Sequence, residues 1–282
     1  MIDLPGRFWL IGCGNMAGAM LRRWIYVGMD PMKFLAVRPS GKWVAPDVHV
    51  VTAIPDEEPP TVALLGFKPH QLDDVAPLLA ARLGPDTLLI SILAGVEQAT
   101  LRQKFPTVRN IARAMPNTPV LIGKGAIGLH SDRIEEPARG YLCSLMEPLG
   151  TLEWIEDEGD FDMIAALTAS GPAFVFRFID ALARGAAALG LPADQARRLA
   201  TATVEGAGAL AATSGESPHQ LAERVASPGG MTRQGLDVLD DDEALNQLVH
   251  RTLEAALRRS REMGEEARRG PPPPVPAGTG SR

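Results

Sequence analysis

Short apolar runs recur through the first half of the chain, at 8–11, 34–37, 49–52, 61–66, 87–93 and 108–114. Several are continuous rather than alternating, the pattern of strands buried on both faces. Amphipathic stretches at 15–26, 71–83 and 96–105 predict helices between them, and strand–helix alternation of this kind predicts a mostly parallel sheet. Two further strands are predicted at 126–130 and 152–155. After about Asp160 the strand signal stops, and Phe174, Phe178, Leu182, Ala186 and Leu189 fall at helical spacings of three and four. Gly190-Leu191-Pro192 reads as a helix stop and restart, and Ser170 as an N-cap. The expected fold class is therefore α/β, an N-terminal Rossmann-like dinucleotide-binding domain followed by an all-helical C-terminal domain. The boundaries expected are 1–158, 159–264 and a tail at 265–282, where Pro271–Pro274 followed by Gly and Ser cannot build a core.

Composition narrows the function classes. The chain has 282 residues, 45% of them hydrophobic, enough for two cored domains. A net charge of −6 gives no broad basic surface for a phosphate backbone, so no nucleic-acid partner is expected. Cys13 and Cys143 are the two cysteines, too few and too far apart for a disulfide framework, which suits a reducing compartment. The run 8–11 is too short for a signal or a membrane span, so a cytoplasmic protein with no membrane partner is expected. The five histidines have no metal-ligand spacing, and no metal is expected. Small residues from Ala183 to Ala212 would let helices approach closely, including those of a second subunit, so a homodimer or higher homo-oligomer through the helical domain is expected.

Chemistry enters at Gly12-Cys13-Gly14-Asn15-Met16-Ala17, a G-x-G-x-x-A turn between the first strand and the first helix. Gly12 permits the turn, Gly14 lets a pyrophosphate approach the backbone, and Ala17 lets the helix pack on the sheet. The N–H groups at the helix start, around Asn15 and Met16, face the phosphates. The second strand ends in Arg38-Pro39-Ser40, with no carboxylate for a ribose 2′-hydroxyl; Arg38 and Ser40 suit a 2′-phosphate instead, favouring NADPH with NADH possible. Cys13 reads as a small residue in the turn rather than a reactive thiol. In the second half, Ser227-Pro228-Gly229-Gly230-Met231-Thr232 lies between helical patterns, and its consecutive glycines allow backbone N–H groups to converge on an anion.

Together these segments resemble the pyrroline-5-carboxylate reductases, over nearly the whole folded chain. The resemblance rests on residues 11–17, Lys68-Pro69-His70, Met115-Pro116-Asn117-Thr118-Pro119, Ser170-Gly171-Pro172-Ala173, Gly190-Leu191-Pro192 and the run Ser227 to Thr232, in the family's order. It implies hydride transfer from NADPH to the C=N bond of a small cyclic imine, giving proline, and a helical domain that interlocks two subunits. It also implies that Ser227, Gly229, Gly230, Met231 and Thr232 hold the substrate carboxylate, with the Thr232 hydroxyl near the ring nitrogen as the catalytic or positioning group. Lys68, Pro69 and Asn117 would lie beside the cofactor, Asn117 near its nicotinamide end. Met231 and Phe174 depart from the family's usual Thr or Ala and Tyr, and the Pro-rich, acidic segment 53–61 lacks its usual Asn. Two alternatives stay open. One is a reductase or hydroxyacid dehydrogenase acting on another substrate, although the latter calls for a helical-domain lysine and none follows Asp160. The other is a regulator that senses the dinucleotide without turnover.

Overall fold

The computed structural model describes residues 6–269, apart from the side chains of Met263 and 266–269. Eight strands form one sheet: β1 (Phe8–Ile11), β2 (Phe34–Val37), β3 (His49–Val51), β4 (Val62–Leu65), β5 (Leu88–Ser91), β6 (Asn110–Met115), β7 (Gly125–His130) and β8 (Gly150–Trp154). Their order is β3-β2-β1-β4-β5-β6-β7-β8, and every neighbouring pair is parallel except β6 with β7. All residues of β1, β2, β4 and β5 are buried, which is why their sequences run apolar without alternation.

The strand period of two sorts these side chains onto opposite faces. Phe8 and Leu10 pack with α1 (Asn15–Tyr26), while Trp9 and Ile11 pack with α2 (Leu72–Ala80) and α3 (Gln98–Lys104). On the α1 face, Trp24 stacks on Phe34 at 6.0 Å and donates its indole N–H to the Leu145 carbonyl at 2.6 Å. Leu145 belongs to α4 (Ala138–Met146), a helix the sequence reading did not anticipate. It is nine residues long, contains Gly140 and has no side-chain cap, so it carries none of the usual start signals.

The remaining helices are α5 (Phe161–Thr168), α6 (Gly171–Ala188), α7 (Ala193–Thr213), α8 (Pro218–Val225), α9 (Met231–Asp240) and α10 (Ala244–Arg269). The chain divides into two compact units. One comprises everything up to Ala169 together with the stretch from Leu257 onward, and the other is Ser170–Ala256. The division thus falls later than the expected boundary after residue 158, because Phe161, Ala165 and Ala166 of α5 are buried and Ile164 packs beside Gly128 of β7. The tail expected from Glu265 is also corrected: α10, built here of good helix formers, continues to Arg269. Positions 270–282, with Pro271–Pro274, lie outside the described residues.

The end of α10 packs within the first unit. Ser260 Oγ donates to Asp162 at 2.9 Å, and a Cβ on Gly264 would lie 3.8 Å from the Gly95 Cα. In the second unit, Ala183, Ala196 and Ala200 form a small core between α6 and α7, bordered by Ile179 and Leu191. Gly190, at φ +105°, ends α6, and Pro192 stands at the N-cap of α7 rather than inside its first turn. Ser170 occupies the N-cap position of α6, yet its side chain makes no capping bond.

Candidate active site

The chain runs from β1 outward to β2 and β3, then returns to place β4 on the other side of β1. That reversal opens a crevice at the carboxyl ends of β1 and β4, the place where open α/β sheets bind ligands. Gly12 and the segment Gly66-Phe67-Lys68 leave the sheet there. Gly66 N–H donates to the Ile11 carbonyl at 2.8 Å and Gly12 N–H to the Val37 carbonyl at 3.0 Å, which fixes both exits. Gly12 has φ +77°, and a Cβ on it would meet the Phe67 backbone nitrogen at 2.8 Å. Only glycine fits this corner.

The start of α1 meets the needs of a dinucleotide. Gly14 is its N-cap, no side chain caps the helix, and no acidic residue occupies its first turn. The space above Gly14 is open, a built Cβ touching only the Gly66 carbonyl at 3.9 Å. Asn15 and Met16 open this 12-residue helix, whose N-terminal N–H groups and positive dipole end suit a pyrophosphate. Arg38, at the end of β2, is half-buried and already folded: its guanidinium donates to the carbonyls of Lys42 and Trp43 at 3.1 and 3.3 Å. Ser40 is exposed beside it, its hydroxyl accepting from Lys42 N–H at 3.4 Å. Lys68 is exposed at the end of β4, and half-buried Pro69 begins the following 3-10 turn. Gly12, Gly14, Asn15, Met16, Arg38, Ser40, Lys68 and Pro69 thus share the carboxyl edge of three adjacent strands. Cys13 is buried, and burial pushes its thiol above the ordinary value despite the nearby charges of Arg38 and Arg22. This matches its reading as an unreactive filler. The segment 53–61 forms an irregular loop tied to the body by Asp56 and Arg82.

Asn117 lies at the same edge, beyond β6, but its carboxamide is engaged within the protein. It is 6% exposed, its Nδ2 donates to the Thr168 carbonyl at 2.9 Å, and its Oδ1 accepts from Ala126 N–H at 3.0 Å. The sequence reading also missed an ion pair near the loop that follows β5. Arg113 of β6, 4% exposed, donates to Glu158 at 2.5 Å and lies 3.9 Å over the Phe161 ring. Glu158 accepts as well from the Gln98 backbone N–H at 2.7 Å. A buried arginine requires such a partner, so an Arg flanked by Ile111, Ala112 and Ala114 in a predicted strand was the available signal. Gly95, Glu97, Arg113, Glu158, Phe161 and Arg261 are among the residues lining a cavity of about 310 Å³ here.

In the second unit, Ser227 to Thr232 form a tight turn leading into α9. Gly230 N–H donates to the Ser227 carbonyl at 2.9 Å, with Pro228 and Gly229 between them and Gly229 at φ +71°. Pro followed by a left-handed Gly is the signature of a type II turn. Gly230 is the N-cap of α9, with no side-chain cap and no acidic residue in the first turn. Ser227, Gly229 and Met231 are exposed, and Gly230 and Thr232 are half-buried. Arg233 pairs with Glu223 of α8 at 2.5 Å, bracing the turn from behind. This is a second helix start open to an anion.

Fold and site define a dinucleotide-binding oxidoreductase with an added helical unit. The family model described as pyrroline-5-carboxylate reductase dimerisation matches residues 158–263. A pyrroline-5-carboxylate reductase of Pseudomonas aeruginosa is 32% identical over 92% of this chain and 97% of its own length. The solved pyrroline-5-carboxylate reductase of Coxiella burnetii is 32% identical, with a TM-score of 0.82 over 92% of this chain and 98% of that one. The Plasmodium falciparum pyrroline carboxylate reductase, solved with NADP bound, has a TM-score of 0.79 at 24% identity over 94% and 99% of the two chains. The chain belongs to the pyrroline-5-carboxylate reductase family, and its dimerisation domain makes it a homo-oligomer-forming chain.

Proposed function

We propose that this protein reduces 1-pyrroline-5-carboxylate to proline with NADPH, as a cytoplasmic homodimer or higher homo-oligomer. The observation that carries the reading is two helix starts with a glycine at the N-cap, uncapped and acid-free, at Gly14 for a pyrophosphate and at Gly230 for a carboxylate, in a member of this family. The bound dihydronicotinamide would supply the hydride that reduces the C=N carbon. The protein's part is position and electrostatics. The N–H groups at the start of α1 hold the pyrophosphate, and Arg38 with Ser40 meets the 2′-phosphate. The N–H groups at the start of α9 and the Ser227 and Thr232 hydroxyls hold the substrate carboxylate. Thr232 orients the ring nitrogen, whose protonation makes the imine a better acceptor.

The second unit supports the oligomer. Phe176, Phe178, Leu182, Leu199 and Leu210 of α6 and α7 are exposed. Residues 158–188 are apolar and long enough to cross a membrane by length and composition, but they lie wholly within the matched dimerisation region. Their apolar surface is read as subunit interface. The experiment is to mix pure protein with 1-pyrroline-5-carboxylate and NADPH and to follow cofactor oxidation against NADH and other cyclic imines. Oxidation no faster than in a protein-free control overturns the activity.

A further inference from the structure

We infer that Asn117 is a positioning residue for the reduction, holding the exit of β6 in place through its carboxamide rather than touching substrate. The inference rests on the functional reading above. The β6–β7 ladder ends at Met115 opposite Gly128, and Pro116 follows. Continued past Pro116, the register would set Asn117 opposite Ala126. The Asn117 side chain takes over at that point: its Oδ1 accepts the Ala126 N–H at 3.0 Å, a bond that the backbone would otherwise supply.

The other end of the amide meets a vacancy left by proline. Nδ2 donates to the carbonyl of Thr168, the last residue of α5, at 2.9 Å. A helical carbonyl is normally satisfied by the N–H four residues on, and that residue is Pro172. One buried carboxamide therefore extends the β6–β7 ladder by a bond and compensates for Pro172, clamping the Met115-Pro116 segment to the start of β7 and to the last turn of α5. The fit is close, because a Cβ on Gly125 would meet the Asn117 Oδ1 at 3.3 Å and the Val120 side chain at 2.5 Å. Met115 and Pro116 leave β6 at the carboxyl edge of the sheet, the edge that carries the crevice. Displacing this exit by a fraction of an ångström degrades hydride geometry while leaving the pyrophosphate and 2′-phosphate contacts intact.

The test compares wild type with Asn117→Ala and with Asn117→Asp, which keeps the acceptor for Ala126 and sets a carboxylate oxygen against the Thr168 carbonyl in place of the donor. The aspartate variant decides the matter where the alanine variant is too unstable to purify. In each variant kcat is expected to fall about tenfold or more while the Kd for NADPH stays within about threefold of wild type. The enhancement of nicotinamide fluorescence on binding should be largely lost. In ligand-free protein, amide hydrogen exchange at Ala126 should quicken about tenfold in Asn117→Ala. Unchanged kcat and fluorescence, or a loss of NADPH affinity as large as the loss of kcat, overturns the proposal. Wild-type protein that binds NADPH without reducing the imine would sink the functional reading instead, and the fluorescence and exchange measurements would still decide the role of Asn117.

Discussion

At the scale of single residues, Arg38 separates two cofactors that the rest of the crevice treats alike. Its guanidinium is held by the Lys42 and Trp43 carbonyls, so it meets a 2′-phosphate with little further ordering. A charge-assisted contact of this kind is worth about 1.5–3 kcal/mol, so Arg38→Ala should lower kcat/KM for NADPH about 10- to 100-fold and leave NADH nearly unchanged. Parallel steady-state kinetics with the two cofactors measure this, and an equal loss for both would remove Arg38 from 2′-phosphate recognition. Thr232→Ala should lower kcat about tenfold or more with little change in the Kd for NADPH, since its proposed contact is to substrate. Unaltered turnover in that variant would rule the contact out. Gly12→Ala places a Cβ 2.8 Å from the Phe67 nitrogen at φ +77°. It should cost about 1–3 kcal/mol, seen as a lower urea midpoint with an unchanged slope.

At the scale of elements, α3 is held to the sheet edge by polar groups. Gln98 and Arg102 both donate to Asp132, with Arg102 Nη2 at 2.8 Å. Partial burial alone would raise the Asp132 carboxyl, but the Arg102 and Gln98 hydrogen bonds and the charges of Arg102 and Arg133 hold it below the usual value of 3.8. Its contribution to stability is complete above the ordinary carboxylate pKa and is lost as pH falls through the lower folded value. Asp132→Asn should therefore weaken the protein at neutral pH and flatten its acid limb, as followed by thermal unfolding across pH. The elements with strong periodicity were legible in the sequence: all eight strands, and α1, α2 and α3 between them. The residues at the crevice were legible too, because strand ends and glycine spacing mark them. What was hidden depended on distant partners. The weakly signalled α4 is stabilised by Trp24 bonding to Leu145, and the Arg113–Glu158 pair and the bond from Asn117 to Thr168 join segments about fifty residues apart. No local window contains both halves of such contacts.

At the scale of the whole molecule, the helical unit leaves more apolar surface open than its three-alanine core can cover, with Phe176 63% exposed. Phe176→Glu should lower the sedimenting mass while leaving helical content near wild type, as checked by ultracentrifugation and circular dichroism. An unchanged mass would move the interface elsewhere. The helical unit is also an insertion: the chain leaves the nucleotide-binding unit at Ala169 and re-enters it at Leu257, where Ser260 and Gly264 meet Asp162 and the Gly95 neighbourhood. A protein so threaded cannot be cut once into two working halves. A fragment ending at Ala169 would lack the end of α10, and a synthetic peptide spanning 257–269 should bind it and raise its melting temperature, making this segment a natural complementation tag.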